Sequence, residues 1–510
     1  MKLNKKVYYN WRRFLTFTNM EATTKEKMED WMMGNDKTEN AAGRRISSLL
    51  DAGSFIEIGG AVTLRNTDFQ LKQQEAPADG VRTGYGLIDG NLVYVYSQDV
   101  SVLGGSIGEM HAKKIAGIYE LAMKTGAPVI GLIDCAGLRL QEAADALEAL
   151  GRLYHKQAMA SGVIPQITGI FGNCGGGLAL IPALTDFTFM ETKGRLFVNA
   201  PNAILENRIE KNDTSDAVFQ SRETGLADIT GTEEEILAQM RRLISFLPAN
   251  NEETAAYESC QDDLNRRCDA AEALADDAAW LMREMADLGD CFEVKKEHAK
   301  DMVTGFIRLA GNTVGVVGNR KRIIDEEGNT TEEFKEGLSA KGALKAAEFV
   351  EFCDAFQIPV CTLTNVSGFS NLPGEEKYLA KHTARLVYAL SNATVPKVNV
   401  ITKEAYGSAY TVMNSKSVGA DMVFAWEDAG IGMMDAALAA KIMYPEEGAA
   451  VLKEKEAAYR ELQNSPLSAA RRGYVDTLIA PEETRKYVIG AMEMLFTKRE
   501  ERPLKKHGTV

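Results

Sequence analysis

Two hydrophobic patterns alternate along the chain. Short, nearly uninterrupted apolar runs bounded by Gly, Pro or Asp lie at 92–97, 129–133, 166–171 and 187–190. Runs of this length and flanking predict strands covered on both faces. Between the first two runs, 110–125 carries apolar residues at helical spacing and predicts a helix. Strands alternating with helices from about 55 to 250 predict a layered α/β fold. Residues 18–45 are charged and helix-like. Arg44-Arg-Ile-Ser-Ser-Leu-Leu-Asp51 continues that helix, with Gly53 as its stop. The polar, helix-prone stretch at 248–270 marks a domain boundary. A second α/β region follows at 302–426, and the charged tail from 445 is mainly helical.

Two of the predicted strands end in glycine-rich turns that run into helices. The first is Ala127-Pro-Val-Ile-Gly-Leu-Ile-Asp-Cys-Ala-Gly137 and the second is Ile164-Pro-Gln-Ile-Thr-Gly-Ile-Phe-Gly-Asn-Cys-Gly-Gly-Gly177. Residues without Cβ let the chain turn sharply and let another molecule approach the main chain. A helix that starts there offers unpaired N–H groups and a positive dipole end, which suits a phosphate or an enolate oxygen.

The same pattern occurs twice. Thr83-Gly-Tyr-Gly-Leu-Ile-Asp-Gly-Asn91 is echoed by Thr304-Gly-Phe-Ile-Arg-Leu-Ala-Gly-Asn312, an offset of 304 − 83 = 221. The first glycine turn is echoed by Ile358-Pro-Val-Cys-Thr-Leu-Thr-Asn-Val-Ser-Gly368, an offset of 368 − 137 = 231, which also maps Gly176 and Gly177 onto Gly407 and Ser408. Growth of the offset by ten residues fits an acidic insertion at 325–336. One duplicated domain, rather than a solenoid, follows from a repeat this long.

Composition narrows the classes. A chain of 510 residues is too long for one core. Lys plus Arg number 58 and Asp plus Glu 72, a net charge of −14, which disfavours general nucleic-acid or membrane-surface binding. Seven cysteines without a C-x-x-C pair, and no metal-like spacing with the five histidines, predict reduced thiols, no metal centre and a cytoplasmic protein. The basic, aromatic N-terminal segment at 1–17 lacks the apolar core of a signal peptide and reads as a surface helix or, less favourably, a docking arm.

Together these stretches resemble the carboxyltransferase component of biotin-dependent acyl-CoA carboxylases and decarboxylases, the type of the propionyl-CoA carboxylase beta chain. The resemblance rests on Asp79-Gly-Val-Arg-Thr-Gly-Tyr-Gly-Leu-Ile-Asp-Gly90, Pro182-Ala-Leu-Thr-Asp-Phe187, Phe349-Val-Glu-Phe-Cys-Asp-Ala-Phe356 and Lys416-Ser-Val-Gly-Ala-Asp421, besides the turns above. It implies two tandem crotonase-type domains, each a spiral of ββα units, at 46–260 and 270–510, after an N-terminal arm at 1–45. It implies a homohexamer built as a trimer of dimers, with active sites shared between subunits. It also implies a biotin carboxyl carrier protein as partner, with a biotin carboxylase or membrane decarboxylase subunits beyond it.

The family mechanism transfers a carboxyl group between carboxybiotin on a separate carrier and the α-carbon of an acyl-CoA thioester, through an enolate. Decarboxylation runs the same steps backward, and no side chain has to act as base. Both anions need paired backbone donors. On the family's pattern these are Gly176 and Gly177 in one turn and Ser408 and Ala409, shaped by Gly407, in the other. The thioester is assigned to Gly407–Ala409 and the biotin ureido oxygen to Gly176–Gly177. Gly137, Arg139, Gly368 and Thr411 are the expected substrate-binding residues.

Several positions depart from the family pattern. Asp134-Cys-Ala-Gly-Leu-Arg-Leu-Gln-Glu-Ala143 stands where the family has Asp-Ser-Gly-Gly-Ala-Arg-Ile-Gln-Glu-Gly. Ser215-Asp-Ala-Val218 replaces a Gly-Gly-Ala-His segment, and Tyr406-Gly-Ser-Ala-Tyr-Thr411 ends in Thr rather than the Asp that lines the family's acyl pocket. A backbone donor survives Gly→Ser if φ is negative. Rival readings are the soluble subunit of a sodium-pumping decarboxylase, a non-catalytic CoA-binding scaffold and, less favourably, a crotonase-type hydratase.

Single residues have plainer readings. Cys174 reads as a buried small residue rather than a nucleophile, and Ala122-Met-Lys-Thr125 as helix rather than a biotin-accepting turn. His111, Lys113 and Lys114 read as an exposed helix face. Arg139 and Glu142 either contact a ligand or pair at i, i+3 on the surface. Lys193, Arg195 and Arg208 are either a basic patch for the CoA phosphates or solvated charges.

Overall fold

The computed structural model describes residues 40–65, 76–204, 213–253, 256–334 and 337–503. The arm at 1–17 and Arg208 lie outside the described residues.

Two eight-stranded sheets carry the fold. The first contains β1 (Ile56–Glu57), β2 (Val81–Ile88), β3 (Asn91–Gln98), β4 (Val129–Cys135), β5 (Gln166–Gly175), β6 (Phe187–Glu191), β7 (Arg195–Phe197) and β8 (Ile229–Gly231). They run in the order β1-β2-β3-β4-β5-β6-β8, with β7 beside the end of β5. Pairing is antiparallel up to β3 and parallel from there onward. The longer helices of this half are α1 (Ala41–Leu49), α2 (Glu109–Thr125), α3 (Ala143–Ala160) and α4 (Glu233–Phe246). Parallel strands need helical crossovers that cover both faces, so the continuous apolar runs at β4 and β5 become buried strands.

The second half repeats this plan. β9 (Cys291–Val294), β10 (Met302–Leu309) and β11 (Asn312–Asn319) open it. β12 (Arg322–Ile324) and β13 (Thr330–Glu333) form a separate hairpin. β14 (Val360–Val366), β15 (Lys397–Tyr406), β16 (Met422–Trp426), β17 (Gly430–Gly432) and β18 (Thr477–Ile479) complete the sheet. Its helices are α5 (Ala278–Met285), α6 (Ala340–Ala355), α7 (Leu379–Asn392), α8 (Gly407–Val412), α9 (Ala436–Met443), α10 (Ala449–Tyr459) and α11 (Thr484–Met494).

The register matches residue for residue. The bulged contact Cys135↔Cys174 between β4 and β5 recurs as Val366↔Ala405 between β14 and β15 (366 − 135 = 405 − 174 = 231). The bridge Ile107↔Leu138 recurs as Leu338↔Phe369 at the same shift. Lys114 on α2 donates to the carbonyls of Ala78 and Val81, and Lys345 on α6, again 231 residues on, donates to those of Lys295, His298 and Met302. The hairpin β12–β13 accounts for the larger offset: Asn319 to Ala340 is ten residues longer than Gln98 to Glu109, (340 − 319) − (109 − 98) = 10.

One apolar cluster joins the halves. It runs from Ile46, Leu132 and Phe189 to Phe306, Phe349 and Phe356. Phe187 meets Phe352 edge-on at 4.8 Å between ring centroids.

The structure departs from the sequence pattern in two places. Residues 256–277 form turns rather than a helix. Their main-chain and side-chain donors serve the second half instead: Glu258 N–H donates to Gly311 O, Cys268 N–H to Glu482 O, and the Arg266 guanidinium to Glu284 O and Ala286 O. Helix α1 stops at Leu49 because Leu50 turns extended, three residues before Gly53. The tail is mainly helical as expected, and among its described residues one strand, β18, joins the second sheet beside β16.

Candidate active site

Both predicted turns sit at the C-terminal ends of equivalent strands. β5 runs out at Gly175, and Gly176 takes φ +65° as the chain enters a short helical turn. β15 runs out at Tyr406, and Gly407 takes φ +64° at the start of α8. Left-handed backbone at both points explains why glycine stands there. A Cβ at Gly176 meets nothing within 4 Å, so space beside that turn is open. Gly177 and Ser408 are exposed, whereas Ala409 is buried. Ser408 keeps a negative φ, so its N–H remains a usable donor despite the side chain. The first N–H groups of a helical turn have no acceptor inside it. Among the described residues, no backbone acceptor outside their own elements takes those of Gly177, Ser408 or Ala409.

The flanking turns match as well. Gly137 follows β4 with φ +115°, and Gly368 follows β14. The carbonyl of each accepts from across the turn, Gly137 O from Ile107 N–H and Gly368 O from Leu338 N–H. Each turn also returns a carboxylate to the N-terminus of the preceding helix. Glu142 accepts Glu109 N–H at 2.6 Å on α2, and Glu375 accepts Ala340 N–H at 2.5 Å on α6. Negative charge at a helix N-terminus is favourable.

The first half adds a buried polar chain that the second lacks. Arg139 Nη1 meets Asp79 Oδ1 at 2.7 Å and Glu142 Oε1 at 2.7 Å, and its Nη2 donates to Ser106 O at 2.9 Å. The pairing at i, i+3 with Glu142 is present but buried, not on the surface, and the Arg139 side chain is 2% exposed. Asp79 also accepts His111 N–H at 2.8 Å. His111 Nδ1 lies 2.9 Å from Asp79 O and its Nε2 lies 3.1 Å from Gln98 Nε2. Gln98 Oε1 then accepts Asp134 N–H at the end of β4. The chain thus ties the strand end to the turn that follows it.

His111 and Lys114 are therefore not on an exposed face. They are 0% and 8% exposed, and of the three only Lys113 is solvated. Burial lowers the His111 imidazole to about 3 and Lys114 to about 8, and it raises the Asp79 carboxyl despite Arg139. A sequence signal for this cluster existed in Asp79-Gly80, a turn pair opening the first hairpin, where Ala78, Asp79 and Gly80 all take positive φ.

The remaining candidates fall as follows. Thr411 is exposed on α8, four residues past Gly407, whose carbonyl lies 3.5 Å from its hydroxyl. Cys174 is fully buried and its thiol is pushed well up by desolvation. The Lys193 side chain is 88% exposed, and Arg195 faces Asp213 at 3.4 Å. Ser215 is buried, its carbonyl accepting Leu196 N–H, and Asp216 caps the helix Ala217–Arg222. Tyr154 donates its hydroxyl to Gly177 O, a contact with no signal in the sequence.

Comparison with known proteins agrees with this geometry. Residues 34–510 match the carboxyl transferase domain. The chain is 41% identical to a propionyl-CoA carboxylase beta chain of Roseobacter denitrificans, over 92% of this chain and 93% of that one. It is 39% identical to a methylmalonyl-CoA decarboxylase subunit alpha of Propionigenium modestum, over 92% of each. Its fold matches the transcarboxylase 12S hexamer, solved with methylmalonyl-coenzyme A bound, at a TM-score of 0.86 and 33% identity, covering 100% of this chain and 99% of that one.

Proposed function

The chain belongs to the carboxyl transferase domain family, as a biotin-dependent acyl-CoA carboxyltransferase of crotonase-like fold, and on that premise we propose that its two glycine turns are twin oxyanion holes. The observation that carries this reading is the shared left-handed φ of Gly176 and Gly407, 231 residues apart, each at the end of an equivalent strand. Gly176–Gly177 would hold the ureido oxygen of biotin brought by a separate carrier protein, and that group, when carboxylated, would supply the carboxyl group and, once decarboxylated, the acceptor for the α-proton. This chain's part is to hold charge. Backbone N–H groups at Gly176–Gly177 and at Ser408–Ala409 face one developing oxyanion each, and such preorganised donors strengthen as water is excluded. Arg139 acts behind the first turn, fixing Gly137 rather than touching substrate.

The two regions at 46–260 and 270–510 act as paired domains, and each site joins the first domain of one subunit to the second of another within a cytoplasmic homohexamer. Exposed apolar residues support an intersubunit surface. Leu438, Ile442 and Met443 on α9 are 51%, 60% and 57% exposed, and α10 buries none of its residues. On the other half, Leu140 and Leu147 stand out at 84% and 61%.

The test is carboxyl transfer from a carboxylated biotin carrier to a panel of acyl-CoA esters, run in both directions with the assembled oligomer. Turnover with propionyl-CoA or methylmalonyl-CoA is expected, and none with any ester contradicts the reading. Relatives of both kinds make the decarboxylase direction the second reading, and the preferred direction in the same assay decides between them. Gly177→Pro and Ser408→Pro, each deleting one donor, allocate the holes. The sequence-based assignment requires the first to impair biotin use and the second to impair the thioester. Thr411→Asp is expected to change the ratio of kcat/KM between short acyl-CoA esters several-fold while leaving the melting temperature unchanged.

A further inference from the structure

The duplication provides an internal control for a pair of buried carboxylates. In the second half, Asp421 Oδ2 accepts Lys397 N–H at the start of β15 and also meets Lys498 Nζ at 2.8 Å. Asp476 Oδ2 accepts Val423 N–H, and its two oxygens meet Lys416 Nζ at 2.9 and 2.8 Å. The first half keeps both backbone contacts. Asp186 Oδ2 accepts Gln166 N–H at 2.7 Å at the start of β5, and Asp228 Oδ2 accepts Thr188 N–H at 2.6 Å. It does not keep the lysines. The stretch leading to Asp421 is four residues longer than the one leading to Asp186, (421 − 408) − (186 − 177) = 4, and the shorter one, 178–185, holds no lysine. The segment after α4, which corresponds to the one carrying Lys498 after α11, offers Asn250, whose amide donates to Gly126 O instead.

A cavity of about 400 Å³ opens at this place, between the two halves. Asp186, Asp228 and Thr185 line it from the first half, with Lys295, Glu348 and Phe352 opposite. Asp228 is 5% exposed, and its Oδ1 has no hydrogen-bond partner. The cations along the wall are engaged elsewhere: Lys295 with Glu348 at 3.0 Å, Arg385 with Glu351 at 2.9 Å, and Lys345 with three main-chain carbonyls. Desolvation accordingly holds Asp186 up at about 7 and Asp228 at about 6. The Lys295 ammonium, bonded to Glu348, offsets this only in part at Asp228. The space far exceeds the roughly 30 Å³ a single water occupies.

We propose that this cavity binds a small primary ammonium compound on a short alkyl stem, its charge between Asp186 and Asp228 and its stem against Phe352 and Phe356. That is the chemistry the lysine side chains supply at the equivalent aspartates of the second half.

Calorimetric titration of the full-length oligomer, dialysed into amine-free buffer at pH 7.5, tests this with n-butylammonium chloride as probe and n-butanol and potassium chloride as controls. Saturable binding of butylammonium is expected, at least tenfold tighter than either control and lost in Asp186→Asn. Thr185→Lys, placing an ammonium on the cavity wall beside Asp186, is expected to abolish the titration and raise the melting temperature of the oligomer. Equal binding of butanol or potassium, binding that survives Asp186→Asn, or no saturable heat together with no gain in melting temperature for Thr185→Lys would each overturn the proposal.

Discussion

Arg139 carries the heaviest electrostatic duty of any single side chain near the first turn. Removing one partner of a buried ion pair leaves an uncompensated charge and costs about 3–5 kcal/mol. Arg139→Met strands both Asp79 and Glu142, so a fall in unfolding free energy of about that size is expected, read from urea melts. His111 sets a pH limit. Its ring is held at about 3 in the folded chain against about 6.5 unfolded, so between those values the unfolded state binds more protons. Its contribution to stability is complete above pH 6.5 and is lost as pH falls toward 3. His111→Gln should flatten the acid limb of melting temperature against pH from 6.5 to 4, and an unchanged limb would place the acid sensitivity elsewhere. At this scale the turn glycines were legible because the repeat printed them twice. The burial of His111 and of the Arg139–Glu142 pair was not, because both depend on Asp79, distant in sequence and held in an unusual backbone conformation.

Helix and strand identities were largely readable, since continuous apolar runs and period-3.6 patterns report burial directly. β3 to β6 and α2 fell where the apolar runs placed them. The stretch at 256–277 was misread because polar, helix-favouring residues there are fixed by contacts with Gly311, Glu482 and Glu284 that no local window contains. Helix α4 shows the converse, a boundary written locally. Thr232 and Glu235 form a reciprocal capping box at its N-terminus. Thr232→Ala is expected to cost about 1 kcal/mol by thermal melting, within the usual range for a lost cap.

Across the whole molecule, the two halves share one core and differ where function is proposed. The second half carries lysines on its aspartate pair, and the first half carries the charged clamp under its turn. The proposed shared site puts the exposed apolar face of α9 against a second copy of the chain. Ile442→Asp should shift sedimentation to smaller species and abolish carboxyl transfer while leaving the circular dichroism spectrum intact, and full activity in a smaller species would contradict a shared site. The duplication was legible in sequence, but the cavity between the halves was not, because it depends on how α6 meets β6. The most direct test of the twin oxyanion holes is a crystal structure of the assembled oligomer with an acyl-CoA ester and biotin bound. The thioester oxygen and the biotin ureido oxygen are each expected within about 2.7–3.1 Å of main-chain N–H groups, one at Gly176–Gly177 and the other at Ser408–Ala409. Finding those amides turned from the ligands, or both oxygens held by side chains alone, would contradict the account.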